Sequence, residues 1–146
     1  KYTAQEIAVQ LEARTLQIEP MKPYPTGAGK YIFGGKDVIF GGRPVLRPYS
    51  FNPDEYDAVI IGTPVWAGSY AAPLRTFLEQ YCLKDKKIGL FACSSSGNAQ
   101  RCFDKLKLEL GIAIKIPTLS LKDPAKNLSR TDQRRIDNFC KKFLTV

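Results

Sequence analysis

The sequence predicts an α/β protein built on a parallel sheet, and three observations carry that prediction. Two continuous apolar runs, "DAVIIG" (Asp57 to Gly62) and "KIGLFAC" (Lys87 to Cys93), have the composition of central strands buried on both faces. Each is followed by a segment with apolar residues at helical spacing. Strand-like and helix-like segments then alternate to the end of the chain, the pattern of right-handed crossover connections.

The elements follow in order. Thr3-x-x-Glu6, with Ala4, Ile7, Ala8 and Leu11, reads as an amphipathic helix opened by a capping box. Thr15 to Glu19 is a short strand candidate that Pro20 ends. Residues 20–50 are rich in proline and glycine, and "KYIFGGKDVIF" reads equally as a broken helix or as a hairpin. A connection this long is usually functional or locally folded. After the DAVIIG strand, Pro73 opens a helix carrying Leu74, Phe77, Leu78 and Tyr81 at i, i+3, i+4 and i+7. Beyond KIGLFAC, "SSSGN" makes a tight loop whose Asn98 can cap the next helix. That helix turns Cys102, Phe103, Leu106 and Leu110 inward and stops at Gly111. "IAIKIPTLSL" (Ile112 to Leu121) is the next strand, marked as peripheral by Pro117. Ser129-x-x-Asp132 starts the last helix, with Ile136, Phe139, Cys140 and Phe143 as its buried stripe.

The 146 residues suit a single domain spanning 1–146. No apolar run approaches the length of a membrane span, so no membrane partner is expected. The chain opens on Lys1 without an initiator methionine, which leaves room for a cleaved export signal. The formal charge is +8 and there is no histidine, which removes most zinc sites, Ser-His and Cys-His pairs and any imidazole switch. No metal site and no catalytic side chain is expected. Cys82, Cys93, Cys102 and Cys140 show no ligand spacing and read as buried free thiols, which suits a reducing, cytoplasmic compartment. The basic residues are scattered, and on the last helix they oppose the apolar stripe, so nucleic acid is not an expected partner.

Three tempting motifs fail. "YPTGAGKY" lacks the first glycine and the Ser/Thr of a phosphate loop, with Tyr24 and Tyr31 in their places. No GxGxxG follows a strand. Asn127-Leu128-Ser129 fits a glycosylation acceptor, a motif short enough to occur by chance.

Two loops remain, and each follows the carboxyl end of a strand, where ligands bind in open α/β sheets. "TPVWAGSYAAP" holds the only tryptophan, Trp66, between Pro64, which fixes φ, and Gly68, which permits close approach. "CSSSGNA" offers small residues, hydroxyls and backbone N–H groups at a helix start, able to cup a flat polar heterocycle. Together they make Trp66 one wall of a flat-ligand pocket. The competing reading folds the indole back as a lid on the core.

"YDAVIIGTPVWAGSYAAPLRTFL" and "KKIGLFACSSSGN" resemble the flavodoxins and flavodoxin-like flavoproteins, and the likeness covers nearly the whole chain. The resemblance implies a three-layer α/β/α sandwich on a five-stranded parallel sheet, order 2-1-3-4-5, with FMN at its carboxyl edge. It implies one flavin loop from Thr63, Pro64, Val65, Trp66, Ala67 and Gly68, with Trp66 against the isoalloxazine ring. It implies a second from Cys93, Ser94, Ser95, Ser96, Gly97 and Asn98, touching the ring's polar edge through backbone groups. Such proteins begin with a strand and a T-G-N-T type loop that holds the phosphate. Neither is in this sequence, so a further N-terminal segment is expected and the phosphate ligands have no counterpart here.

The function implied is that of an FMN-binding electron carrier working with a redox partner protein. Carrier flavodoxins are typically acidic, and a +8 chain would be repelled by the basic partners such carriers dock on. That raises an alternative, a flavin-dependent NAD(P)H oxidoreductase acting on quinones or similar small acceptors. A flavodoxin-like module without cofactor is a third reading. Cys93 reads as a core cysteine at a strand end, with a reactive thiol as the alternative.

Overall fold

The computed structural model describes residues 1–25, 28–123 and 128–146, of which 28–33 by backbone alone. Ten-residue helix α1 (Tyr2–Leu11) comes first, followed after a long connection by α2 (Ala28–Ile39). Then come β1 (Ala58–Trp66), β2 (Ser69–Tyr70), α3 (Ala72–Gln80), β3 (Lys87–Ser94), α4 (Gln100–Glu109), β4 (Thr118–Lys122) and α5 (Arg130–Thr145).

Strand β3 organises the packing because its side chains alternate between two apolar faces. Ile88, Leu90 and Ala92 meet Leu74 and Phe77 of α3 and Cys102, Phe103 and Leu106 of α4. Phe91 points the other way, to Ile7 of α1 and Ile136, Phe139 and Cys140 of α5. Helices on both faces make three layers. Two glycines permit the close contacts in this sheet. The Phe91 ring lies over Gly62, where a Cβ would collide with it, and a Cβ on Gly89 would stand 2.9 Å from Phe143.

The sheet has four strands, not five, in the order β2-β1-β3-β4. β1–β3 and β3–β4 are parallel, while β1–β2 is antiparallel. The expected all-parallel 2-1-3-4-5 arrangement is therefore not reproduced among the described residues. The apolar run of β1 has the composition of a central strand, yet among the described residues its second edge pairs only with β2, through Val65 and Trp66. Thr15 to Glu19 forms no strand. Thr15, Leu16 and Gln17 are exposed, and the chain instead pairs just beyond them, where Met21 N–H donates to Val45 O (2.7 Å) and Arg47 N–H to Glu19 O (2.8 Å). Backbone that meets no neighbouring strand has nothing to hold it in a ladder.

Smaller differences have local causes. Thr3 lies inside α1 and is buried, and no side chain caps that helix, so the capping box does not form. KYIFGGKDVIF falls within and just beyond α2, as helix rather than hairpin. The strand read from Ile112 begins only at Thr118, because Ile114 is 70% exposed and the ladder to β3 starts at Leu90↔Thr118. Cys82 is exposed rather than buried, two residues past the end of α3. The Ser129 cap forms as read, its Oγ accepting from Asp132 N–H at 3.0 Å. The phosphate-loop-like and glycosylation-like stretches fall partly outside the described residues.

Candidate functional site

The carboxyl ends of β1 and β3 each run into one of the two loops singled out in the sequence. β1 continues four residues past Gly62, so Trp66 is its last residue rather than a loop residue. The chain then reverses through Ala67 (φ 48°) and Gly68 (φ 69°) into Ser69, which pairs back to Trp66. Two successive left-handed residues make the tight hairpin turn that glycine favours at its second position. Thr63 fixes the base of this hairpin. It is buried, its Oγ1 accepts from Ala71 N–H at 3.0 Å, and its hydroxyl donates to Pro64 O at 2.9 Å.

The Trp66 indole turns toward α2 and is 6% exposed. It packs with Val38, Ala71 and Ala72, and Tyr24 meets it edge-on at 5.0 Å between ring centroids. Gly34 of α2 lets the helix approach, since a Cβ there would stand 2.8 Å from Trp66 Cε3. Tyr24 is held in place by donating its hydroxyl to Asp37 at 2.6 Å. Burial first, and the Asp37 carboxylate second, push the Tyr24 phenol far above its usual range, so it stays protonated and donating. Trp66 Nε1 is the only buried side-chain polar atom without a hydrogen-bond partner among the described residues.

The second loop is organised by its own hydrogen bonds. Ser94 is buried, its Oγ donates to Asn98 O at 3.1 Å, and its carbonyl accepts from Gly97 N–H and Asp123 N–H. Gly97 takes φ 78°, and Ser120 Oγ donates to its carbonyl at 2.5 Å. Asn98 N–H donates to Ser96 Oγ, and Asn98 Oδ1 accepts from Gln100 N–H at 3.0 Å, satisfying an orphan amide in the first turn of α4. Ser95 is exposed and Cys93 partly buried. Burial raises the Cys93 thiol above its ordinary value, which favours the core-cysteine reading.

Between the loops lies a cleft of about 450 Å³, with Val65 and Gly68 on one side and Ser96, Asn98, Gln100 and Arg101 on the other. Of the sequence-selected residues, the cleft brings together Val65, Gly68, Ser96 and Asn98. Thr63 and Ser94 lie buried in the loops' own frameworks, and Pro64, Ala67, Cys93, Ser95 and Gly97 do not line it. Trp66 faces a separate recess of about 430 Å³ with Glu19, Tyr24 and Arg47. Sequence reading missed Gln100, Arg101 and Asp104, which also line the cleft. Gln100 and Asp104 stand at i, i+4 on the helix that follows the Asn98 cap, a pairing legible in the sequence, whereas Arg101 carries no such mark. Gln100 Nε2 donates to Asp104 at 2.8 Å.

Among the described residues there is no cluster of three metal-ligating side chains. No described helix is long and apolar enough to cross a membrane.

Parallel strands, helices on both faces and a cleft at the carboxyl ends of neighbouring strands define an α/β protein of the open-sheet class. The chain belongs to the flavodoxin family, whose model matches residues 1–133. Three solved structures share its fold. A protein from Bacteroides eggerthii assigned as a flavoprotein superposes with TM-score 0.75 at 21% identity, covering 97% of this chain and 88% of that one. Another so assigned, from Bacteroides uniformis, gives 0.73 at 24% identity over 92% and 88%. A flavoprotein from Lactobacillus acidophilus, solved in complex with FMN, gives 0.64 at 20% identity over 83% of each chain. No curated protein matches this chain.

Proposed function

We propose that this chain is an FMN-binding electron-transfer protein of the flavodoxin type, with the flavin held between its 63–68 and 93–98 loops. The observation that carries the reading is the position of the cleft. It opens at the carboxyl ends of β1 and β3, adjacent parallel strands, and both loops selected from the sequence border it. The residues fit such a group. The cleft's size lies within the roughly 300–1,000 Å³ of small-molecule sites. Val65 and Ala99 supply apolar surface, Gly68 presents bare backbone, and Ser96, Asn98 and Gln100 supply polar groups for a heterocycle's edge. FMN in a complex with a fold relative supports the choice of flavin.

The division of labour follows from the packing. Val65 would lie against the ring beside the Gly68 backbone, and Ser96 and Asn98 would meet its polar edge. Thr63 and Ser94 hold the loops from beneath. Trp66, expected to stack on the ring, packs on the Tyr24 side of the hairpin, which gives it the role of supporting that wall. Bound flavin supplies the one- or two-electron chemistry, and the protein supplies orientation and local charge.

Titration of the purified protein with FMN tests the proposal. Saturable binding at one flavin per chain, with quenched flavin fluorescence and transfer of electrons from a reductase protein, is the expected outcome. Absence of saturable binding would overturn it and favour a module without cofactor. The +8 charge supports a second reading, an FMN-dependent NAD(P)H oxidoreductase. Steady NAD(P)H oxidation in the presence of a quinone would favour that reading over the carrier.

A further inference from the structure

We propose that Arg101 raises the reduction potential of a flavin in this cleft by stabilising the negative charge that reduction leaves there. The inference rests on the FMN reading above and adds a residue that the sequence patterns did not select. Arg101 lies in the first turn of α4, is exposed, and lines the cleft. Its side chain crosses to the opposite wall: a Cβ on Gly68 would stand 3.4 Å from Arg101 Cδ and 3.8 Å from Nε and Nη1. The guanidinium thus sits beside the one residue of the hairpin that has no side chain, at a left-handed turn that favours glycine.

The charges around it leave the cation available. Ion pairs among the described residues are Arg43 with Glu79 and Arg47 with Glu19, and Arg101 is in neither. Asp104, the acid on the same cleft wall, accepts from Gln100 instead. Taking up two electrons and one proton from an external reductant leaves a flavin with one more negative charge. A cation nearby stabilises that product more than the oxidised ring.

The test uses the FMN-loaded protein and dithionite as reductant, with spectroelectrochemical titration and separate measurement of oxidised-FMN binding. Arg101→Gln is expected to weaken reduced FMN about three- to tenfold relative to oxidised FMN. A tenfold change in that ratio lowers the two-electron potential by about 30 mV. Arg101→Lys should hold the ratio within about twofold of wild type. Lys142→Gln, the same charge change on an exposed residue of α5, should leave it unmoved. An unchanged ratio in Arg101→Gln overturns the proposal while leaving FMN binding intact. Equal shifts in the Gln and Lys variants mean that Arg101 merely packs on Gly68, and an equal shift in Lys142→Gln means bulk charge; either result overturns it. A wild-type protein that takes up no FMN overturns this inference together with the reading beneath it.

Discussion

The two loops that border the cleft are held by different forces. The 63–68 loop is fixed by packing: Trp66 is 6% exposed, Ser69 1%, and Thr63 spends its hydroxyl on the backbone of its own hairpin. The 93–98 loop is fixed by hydrogen bonds within itself, by two more from Ser120 and Asp123 and by one glycine, while Ser95, Ser96 and Asn98 face solvent. A wall locked into the core keeps its shape whether or not a ligand is present. A loop closed by exposed hydrogen bonds can exchange them with water or a ligand at small cost. The cleft therefore pairs a rigid wall with an adaptable one.

The strongest way to break that comparison is to remove the packing. Trp66→Ala should lose about 3–5 kcal/mol in urea denaturation followed by circular dichroism, the usual cost of emptying a buried aromatic site. Trp66→Phe, which keeps most of the ring and deletes the unpartnered N–H, should cost about 1 kcal/mol or less. A small loss in Trp66→Ala would mean that the first loop stands on local structure after all. Next in size is Gly97→Ala. An L side chain in a left-handed conformation costs about 1–2 kcal/mol, and the new methyl group would stand 3.2 Å from Lys122 Cβ. The same denaturation measurement checks it, and a neutral result would show that the loop's path does not depend on that φ.

What the sequence made legible follows the same division. Periodicity and apolar runs report burial, so β3, α3, α4 and α5 were readable, and the alternation of elements pointed to parallel strands. Strand neighbours are set by tertiary pairing, which local pattern does not encode. Thr15 to Glu19 has a strand-like pattern and forms no strand, and Ile112 to Ile116 stay outside the ladder. The cleft was legible as two loops at strand ends but not in detail. The sequence makes Trp66 a pocket wall, with a core lid as the competing reading, and Gly34 and Tyr24, 32 and 42 positions earlier, decide which way its ring turns. Arg101 was unreadable for the opposite reason: it sits on a solvated helix face like the chain's other scattered cations, and only its crossing to Gly68 distinguishes it.

The smallest effect separates the two walls most finely. Ser96 is exposed; its Oγ accepts from Asn98 N–H at 3.2 Å and lies 3.4 Å from the Oγ of buried Ser94. Ser96→Ala removes that acceptor, but water reaches the freed amide, so the stability loss should be about 0.5–1 kcal/mol. That is several times less than for Trp66→Ala, although both residues border the same pair of strand ends. The N–H released in Ser96→Ala also becomes available to a ligand carbonyl at the cleft. FMN affinity should therefore fall by less than the lost hydroxyl contact alone would suggest, within about fivefold of wild type by fluorescence titration. A loss of stability approaching that of Trp66→Ala would show that the second loop is as tightly fixed as the first, and the contrast between the walls would collapse.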